Sequence, residues 1–361
     1  MKILLCTLEY PPQIGGVANY YGNLIQAWPR DDSWDIIDNS QNSLLAPKGF
    51  WPWRRALSAL KRQISRFKPD FVFIGQILPL GSAALILSFF LPIKYGIFLH
   101  GMDLSFALRS PRKRLLARLV LKKARVIVCA NSRVQSLLFE FMPALAARTI
   151  LIHPGANPAG AVPALQDSII SRYGLKGKKI IFSIGRLVKR KGFDQVIKSL
   201  DKVEGDNWLY LLAGDGPEKD NLKKLAAASK QKEKIIFLGP LSDEEKWSCL
   251  DLCDIFVMTS RDLAGDFEGF GIVYLEANLM GKPVIAGASG GVADAVIHEG
   301  SGLLVDPENP EEISEAINRL LSNSALALNL GRQGKIRAQT DFSWEKQARK
   351  LFEYLHLYFN L

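Results

Sequence analysis

Cysteine is scarce in this chain, with four in 361 residues (Cys6, Cys129, Cys249 and Cys253). No two of them form a Cys-x-x-Cys pair or a zinc-type spacing, which excludes a disulfide scaffold and a structural zinc knot. A reducing compartment is the simplest context, with Cys6 and Cys129 as small core residues. Histidine is as rare, with four copies, and no His/Asp/Glu grouping has metal-ligand spacing. There is no Asp-x-Asp to hold a cation on a diphosphate, and no Gly-x-Gly-x-x-Gly, which counts against a nicotinamide-dependent dehydrogenase. Long apolar runs are missing too. The most apolar window, Leu78 to Ile93, contains Pro79, Gly81 and Pro92 and falls short of the ~20 residues that span a bilayer, so it predicts a buried helix. The N-terminus, with Lys2, a short apolar run, Glu9 and two prolines, predicts a first strand rather than a signal peptide.

What is present is the composition of a globular protein, 48% hydrophobic and 23% charged, long enough for two domains. The net charge of +10 is uneven. Residues 1–165 hold 20 Lys and Arg against 8 Asp and Glu, whereas the rest is slightly acidic. That asymmetry points to an anionic partner for the first half alone.

Short apolar runs alternate with helical stretches from end to end. Strands are expected at Lys2–Thr7, Trp34–Asp38, Asp70–Gly75, Lys94–Leu99, Arg125–Ala130 and Thr149–Ile152. A second set is expected at Lys179–Ile184, Trp208–Ala213, Ile235–Leu238, Asp254–Met258, Pro283–Ala286 and Gly302–Val305. Many are continuous Val/Ile/Leu/Phe runs, as parallel strands covered on both faces require. The alternation predicts an α/β chain of two doubly wound, Rossmann-like domains. The expected boundaries are 1–160 and 161–342, with the join in Pro154–Gln166 and a last amphipathic helix over 343–361. Ligands of such sheets bind beyond the carboxyl ends of the strands, so a cleft between the two domains is expected.

The most informative segment runs from Glu268 to Glu276. It follows the strand-like run Ile255–Met258 and contains Gly269 and Gly271 ahead of a helix expected over Gly271–Met280. The first amides of that helix and its dipole would favour a phosphate. Glu268 could accept hydrogen bonds from sugar hydroxyls, and Glu276, on the inner helix face, from a ribose. A phosphate between two polyols describes a nucleotide sugar. The competing reading is a solvated loop glutamate and a dipole-complementing one. Arg186 and Lys191, on the loop after Lys179–Ile184, could neutralise a diphosphate, and with the 268–276 turn they would complete one pyrophosphate site.

Other strand-end loops carry weaker signals. Gly214 and Gly216, around Asp215, permit close backbone approach to a ligand, and a plain tight turn explains them as well. Gly239-Pro240 could meet a nucleobase through its backbone. Gly15 and Gly16, after the first strand, let an amide approach a phosphate. His100 closes the strand Lys94–Leu99, where a polar ring could hydrogen-bond developing charge. Two basic stretches, Phe50 to Lys68 and Arg109 to Arg125, read as solvated helix faces or as an anionic-membrane contact.

Taken in order, Gly15-Gly16, His100-Gly101, Gly185-Arg186 with Lys191, Gly214-Asp215-Gly216 and Glu268-x₇-Glu276 resemble the retaining glycosyltransferases of the GT4 type, with a GT-B fold, over nearly the whole chain. The resemblance implies that Arg186 and Lys191 bind the donor diphosphate and that Glu268 holds the transferred sugar. It implies that the backbone of Gly269, Phe270, Gly271, Ile272 and Val273 meets sugar and phosphate, that Glu276 binds the ribose, and that His100 stands by the reacting sugar. Gly15, Gly16, Gly185, Gly214 and Gly216 would line the donor site, and the last helix would cross back to the first domain. Two features depart from the pattern: Asp294 stands where many relatives carry Glu, and His153–Asn157 is a variant of the usual Asn-Gly-Val-Asp type.

The expected activity is transfer of a sugar from a UDP- or GDP-sugar to an acceptor hydroxyl, of the hexosyltransferase kind, with retention and without metal or cofactor. A lipid-linked or envelope glycan fits as acceptor. The expected location is the cytoplasm, peripheral to the inner membrane leaflet, with no nucleic acid as partner. An epimerase on the same fold and a non-catalytic binder of anionic surfaces are the rival readings.

Overall fold

The computed structural model describes residues 1–13, 15–40, 42–45, 53–157 and 160–359. The chain divides into two compact units, Met1–Gly155 together with Trp344 onward, and Ala156–Ser343.

The first unit alternates strand and helix: β1 (Lys2–Cys6), α1 (Gly16–Gln26), β2 (Ser33–Ile37), α2 (Arg54–Phe67), β3 (Phe71–Ile74), α3 (Leu80–Phe90), β4 (Tyr95–Leu99), α4 (Met102–Leu108), α5 (Pro111–Lys123), β5 (Val126–Cys129), α6 (Ser132–Phe141) and β6 (Thr149–Leu151). The six strands form one sheet in the order β2-β1-β3-β4-β5-β6, every pairing parallel. Strands such as Phe71-Val72-Phe73-Ile74 are buried at all four positions, because helices cover both sheet faces. Helix starts are set locally. Ser110 Oγ accepts from the Lys113 amide with Pro111 in the first turn, and Asn131 Oδ1 accepts from the Val134 amide at 2.9 Å, as N-caps do.

The second unit contains α7 (Pro163–Tyr173), β7 (Lys179–Ile184), α8 (Phe193–Ser199), β8 (Trp208–Ala213), α9 (Lys219–Ala228), β9 (Ile235–Gly239), α10 (Asp243–Leu252), β10 (Ile255–Met258), α11 (Ile272–Leu279), β11 (Val284–Gly287), α12 (Val292–Ala295), β12 (Leu303–Val305), α13 (Pro310–Ser322) and α14 (Ser324–Asp341). Its sheet is ordered β12-β11-β10-β7-β8-β9, again all parallel. The winding starts at β7, runs out through β8 and β9, then returns to the other side of β7 with β10. That reversal makes β7/β10 the switch point where such sheets bind ligands. In the first unit the same reversal falls between β1 and β3.

The last helix, α15 (Trp344–Phe359), packs in the first unit. Trp344, Ala348, Leu351 and Leu355 are buried with Tyr20 and Phe98, and the Tyr20 and Trp344 rings meet edge-on at 5.4 Å. Gln347 Oε1 accepts from the His153 amide at 3.1 Å.

The two units divide at Gly155/Ala156, and Pro163–Gln166, at the far end of the expected join, forms the first turn of α7, since Pro at the first helical position is pre-set for a helix. One expectation needs correction. The apolar window from Leu78 gives a buried helix only as far as Leu87. Phe89 and Phe90, at the end of α3, are 71% and 78% exposed.

Candidate functional site

Register dictates which loops meet. Ile181 and Phe182 of β7 lie beside Ile255 and Phe256 of β10, so the loops that leave these two strands emerge side by side. Backbone bonds fasten them together. The Arg261 amide donates to the Arg190 carbonyl at 2.8 Å, and Thr259 Oγ1 donates to the Gly192 carbonyl at 3.1 Å. Gly192 has φ 72°, and a Cβ there would lie 1.9 Å from the Thr259 carbonyl oxygen, so only glycine permits the contact.

This fastening brings Lys191 to Glu268. Lys191 Nζ lies 2.7 Å from Glu268 Oε2, and Arg190 Nη1 lies 2.6 Å from the same oxygen. Arg190 Nε also reaches Asp266 Oδ1 at 3.3 Å. Burial pushes the Glu268 carboxyl upward, but Lys191 and Arg190 outweigh it and hold the group below its ordinary value. Glu268 is therefore an anion at neutral pH, 9% exposed, with two cations on one oxygen.

The chain then turns into α11. Gly271 caps it at φ 80°, and a Cβ there would meet the Tyr274 ring at 2.3 Å. Tyr274 is fixed in place by donating to the Met258 carbonyl at 2.7 Å. Among the described residues no side-chain hydrogen bond caps the head of α11, and no acidic residue lies in its first turn, which leaves the positive end of the helix dipole without a carboxylate of its own. Phe270 is buried against Phe342, while Ile272 and Val273 are half-buried. Farther along α11, Glu276 Oε1 accepts from Lys246 Nζ of α10 at 2.9 Å.

Arg186 is exposed, and its side chain makes no ion pair among the described residues. Gly185 donates its amide to the Ala213 carbonyl at 3.2 Å. Gly214 and Gly216 have a packing reason: a Cβ would lie 2.0 Å from the Gly185 carbonyl oxygen and 2.5 Å from that of Leu187. They seat the loop that carries Arg186 rather than making room only for a ligand. Gly239 ends β9.

In the first unit, Gly16 opens α1 with clear space where a Cβ would stand, and Gly15 lies beside Glu9. Ile14 falls outside the described residues, as do Phe50, Trp51 and Pro52 of the first basic stretch. His100 follows β4. Its Nε2 lies 2.7 Å from the Tyr21 hydroxyl, which also lies 2.9 Å from the Gly75 carbonyl. A carbonyl can only accept, so the single hydroxyl proton goes to Gly75 and His100 Nε2 donates to Tyr21. The ring is thereby set in its Nε2–H tautomer with Nδ1 as acceptor. Burial lowers its pKa to about 4, which keeps it neutral. Asp103 Oδ1 accepts from the amides of His100 and Gly101 at 3.1 and 2.9 Å and fixes the turn.

Sequence reasoning missed Arg190, Lys246 and Tyr21. Arg190 lies within Lys-Arg-Lys, where charge alone does not tell a solvated side chain from a paired one. Tyr21 is one of two adjacent tyrosines, and nothing in their spacing points to His100. Among the described residues no group of three or more His, Cys, Asp and Glu could hold a metal.

The chain is similar to known proteins over nearly its whole length. The family model described as "Glycosyl transferases group 1" matches residues 166–337, and "Glycosyltransferase Family 4" matches residues 14–159. A GDP-mannose-dependent monoacylated alpha-(1-6)-phosphatidylinositol monomannoside mannosyltransferase of Corynebacterium glutamicum is 29% identical, covering 97% of this chain and 96% of that one. A GDP-mannose-dependent alpha-(1-6)-phosphatidylinositol monomannoside mannosyltransferase of Mycobacterium tuberculosis is 25% identical over 98% of each. The crystal structure of HepE from Anabaena in complex with UDP superposes with a TM-score of 0.81 at 20% identity, over 99% of this chain and 100% of that one.

Proposed function

Because this chain belongs to the GT4-type glycosyltransferases of GT-B fold, we propose that it transfers a hexose from a nucleotide diphosphate sugar to a hydroxyl of a lipid-linked or envelope glycan, with retention and without a metal. The relatives that use GDP-mannose on phosphatidylinositol mannosides make GDP-mannose the first donor to try, and the UDP of HepE makes UDP-sugars the second.

The observation that carries the reading is the convergence of Lys191, Arg190 and Glu268 beside the uncapped head of α11. Fixed cations and helix amides suit a pyrophosphate, and a buried carboxylate suits sugar hydroxyls. Arg186 and Lys191 bind the diphosphate, Glu268 the transferred sugar and Glu276 the ribose. In this account the donor's phosphate takes over the ammonium of Lys191 and frees one side of Glu268 for the sugar. His100, neutral and of fixed tautomer, is assigned by the family resemblance to hydrogen-bond the reacting sugar. The acceptor oxygen bonds to the anomeric carbon on the face from which the diphosphate leaves. The anomeric carbon–oxygen bond breaks, and the departing phosphate oxygen takes the acceptor's proton. The protein's part is position and charge stabilisation.

The test is incubation with labelled GDP-mannose, UDP-glucose and ADP-glucose, with and without a lipid extract as acceptor, in the presence of a chelator. The expected result is acceptor-dependent transfer from one donor with the anomeric configuration kept. A C2 or C4 epimer formed without any acceptor would instead make the protein an epimerase, and inversion would overturn the retaining mechanism.

A further inference from the structure

One residue grips the loop between β7 and α8 on both sides of Lys191. The Arg261 amide donates to the Arg190 carbonyl at 2.8 Å, just ahead of Lys191. Its guanidinium reaches Asp194, just beyond it, with Nη2 lying 3.0 and 3.1 Å from the two carboxylate oxygens. The other terminal nitrogen, Nη1, lies 3.3 Å from Glu308 Oε2, on the loop between β12 and α13. That same oxygen accepts from Gln195 Nε2 at 2.9 Å, so Glu308 ties the next residue of α8 to the same guanidinium.

Stability alone does not account for this cluster. Arg261 is buried, and its Nε makes no hydrogen bond among the described residues, which costs stability. A buried charge network roughly breaks even against apolar packing. What the cluster supplies is geometry. A guanidinium is a rigid fork that holds carboxylates at set angles, whereas an ammonium is a point charge on a flexible stem. Arg261 also stands near the start of the segment that leaves β10 and runs to Glu268. It therefore joins the two strand-end loops whose charges meet, Lys191 on one and Glu268 on the other. Arg190 pairs with Asp266 as well as Glu268. Lys191 pairs with Glu268 alone among the described residues, so its place depends more on the segment that carries it.

We propose that Arg261 is a positioning residue for sugar transfer. By holding residues 190 and 194 in one grip, it sets the Lys191 ammonium where the donor's diphosphate binds. The inference rests on the donor reading above and adds to it a residue that acts through Lys191. The guanidinium is itself taken up by Asp194 and Glu308. Substituting Arg261 keeps the amide bond to Arg190 but releases both carboxylates, whose side chains are 29% and 55% exposed and can hydrate. The fold survives, and the α8 end of the Lys191 segment is freed. A misplacement of ~1 Å costs up to about a hundredfold in rate, and the release of one hold of two gives an expected fall of about tenfold. The fall belongs to kcat more than to KM for the donor, because a fixed cation acts most strongly on charge that develops as the diphosphate leaves.

The experiment is a double-mutant cycle on the whole protein. Steady-state transfer from the labelled donor is measured for the wild type, Arg261→Met, Lys191→Ala and the double variant, with circular dichroism of each. Arg261→Met is expected to lower kcat about tenfold in the wild type and less than about threefold once Lys191 is gone, since its effect passes through that ammonium. Arg261→Lys, which keeps the charge without the fork, should fall between Arg261→Met and the wild type. Asp194→Asn releases the same hold from the other side and carries the cycle with Lys191→Ala if Arg261→Met does not fold; a smaller loss of the same kind is expected. Wild-type turnover by folded Arg261→Met would overturn the proposal, as would a loss confined to KM for the donor. An equal proportional loss with and without Lys191 would overturn it alone, leaving the donor assignment in place. Wild-type turnover by Lys191→Ala would overturn the donor assignment and this inference together.

Discussion

Lys191→Ala and Glu268→Ala are each expected to lower sugar transfer at least about a hundredfold, the scale on which a fixed charge at developing negative charge acts, with the fold retained. The two losses differ in kind. Lys191→Ala removes one of two cations on Glu268 Oε2 and leaves Arg190 in place at 2.6 Å, so the carboxylate is still paired. The stability loss should be small, and the donor's diphosphate loses an ammonium whose side chain is 12% exposed. Glu268→Ala leaves Lys191 and Arg190 facing each other without the anion that reconciles them. It should cost more stability and remove the group that holds sugar hydroxyls. The checks are steady-state transfer with the true donor and circular dichroism of each variant. Turnover at the wild-type rate in either folded variant would remove these residues from the chemistry.

The second large effect concerns His100. Its folded pKa, about 4, is below the ~6.5 of an exposed imidazole. The unfolded chain therefore takes up a proton first as pH falls. Stability contributed by keeping this ring neutral is present above about pH 6.5, declines as pH drops and is gone below about 4, a span worth roughly 3 kcal/mol. His100→Asn should flatten that part of the stability–pH curve and reduce transfer severalfold. Transfer by the wild type should show no inflection near pH 6.5 from this group. Unfolding followed by denaturant at several pH values checks the first statement, and a slope identical in the two proteins would contradict it. Tyr21→Phe is the companion variant. It removes the acceptor that fixes the Nε2–H tautomer and should lower kcat without altering donor binding.

The two sheets were legible because their strands, buried on both faces, read as continuous apolar runs. Phe71-Val72-Phe73-Ile74 and Ile255-Phe256-Val257-Met258 can be little else. The head of α11 was legible for a different reason, since glycines directly after such a run and ahead of a helical one mark a strand-to-helix turn. The pairing of Lys191 with Glu268 was not. The two residues are far apart in sequence, and only the winding that returns β10 to the side of β7 makes them neighbours. Arg190 stayed hidden for the same cause. Gly214 and Gly216 show the opposite limit. Glycine signals close approach without naming what approaches, and here the neighbour is the backbone of Gly185 and Leu187. Phe89 and Phe90 looked like core because hydrophobicity does not say which side of a helix end is covered.

The most direct measurement is the thermal and denaturant stability of the whole protein with GDP, UDP and ADP and their sugars, for the wild type and for R186A/K191A. If a pyrophosphate site stands between β7, β10 and the head of α11, one nucleotide series at a thousand times its Kd should stabilise the wild type by about 4 kcal/mol, and the double variant should lose most of that gain. A wild type stabilised by none of them, or a double variant stabilised equally, would contradict the account.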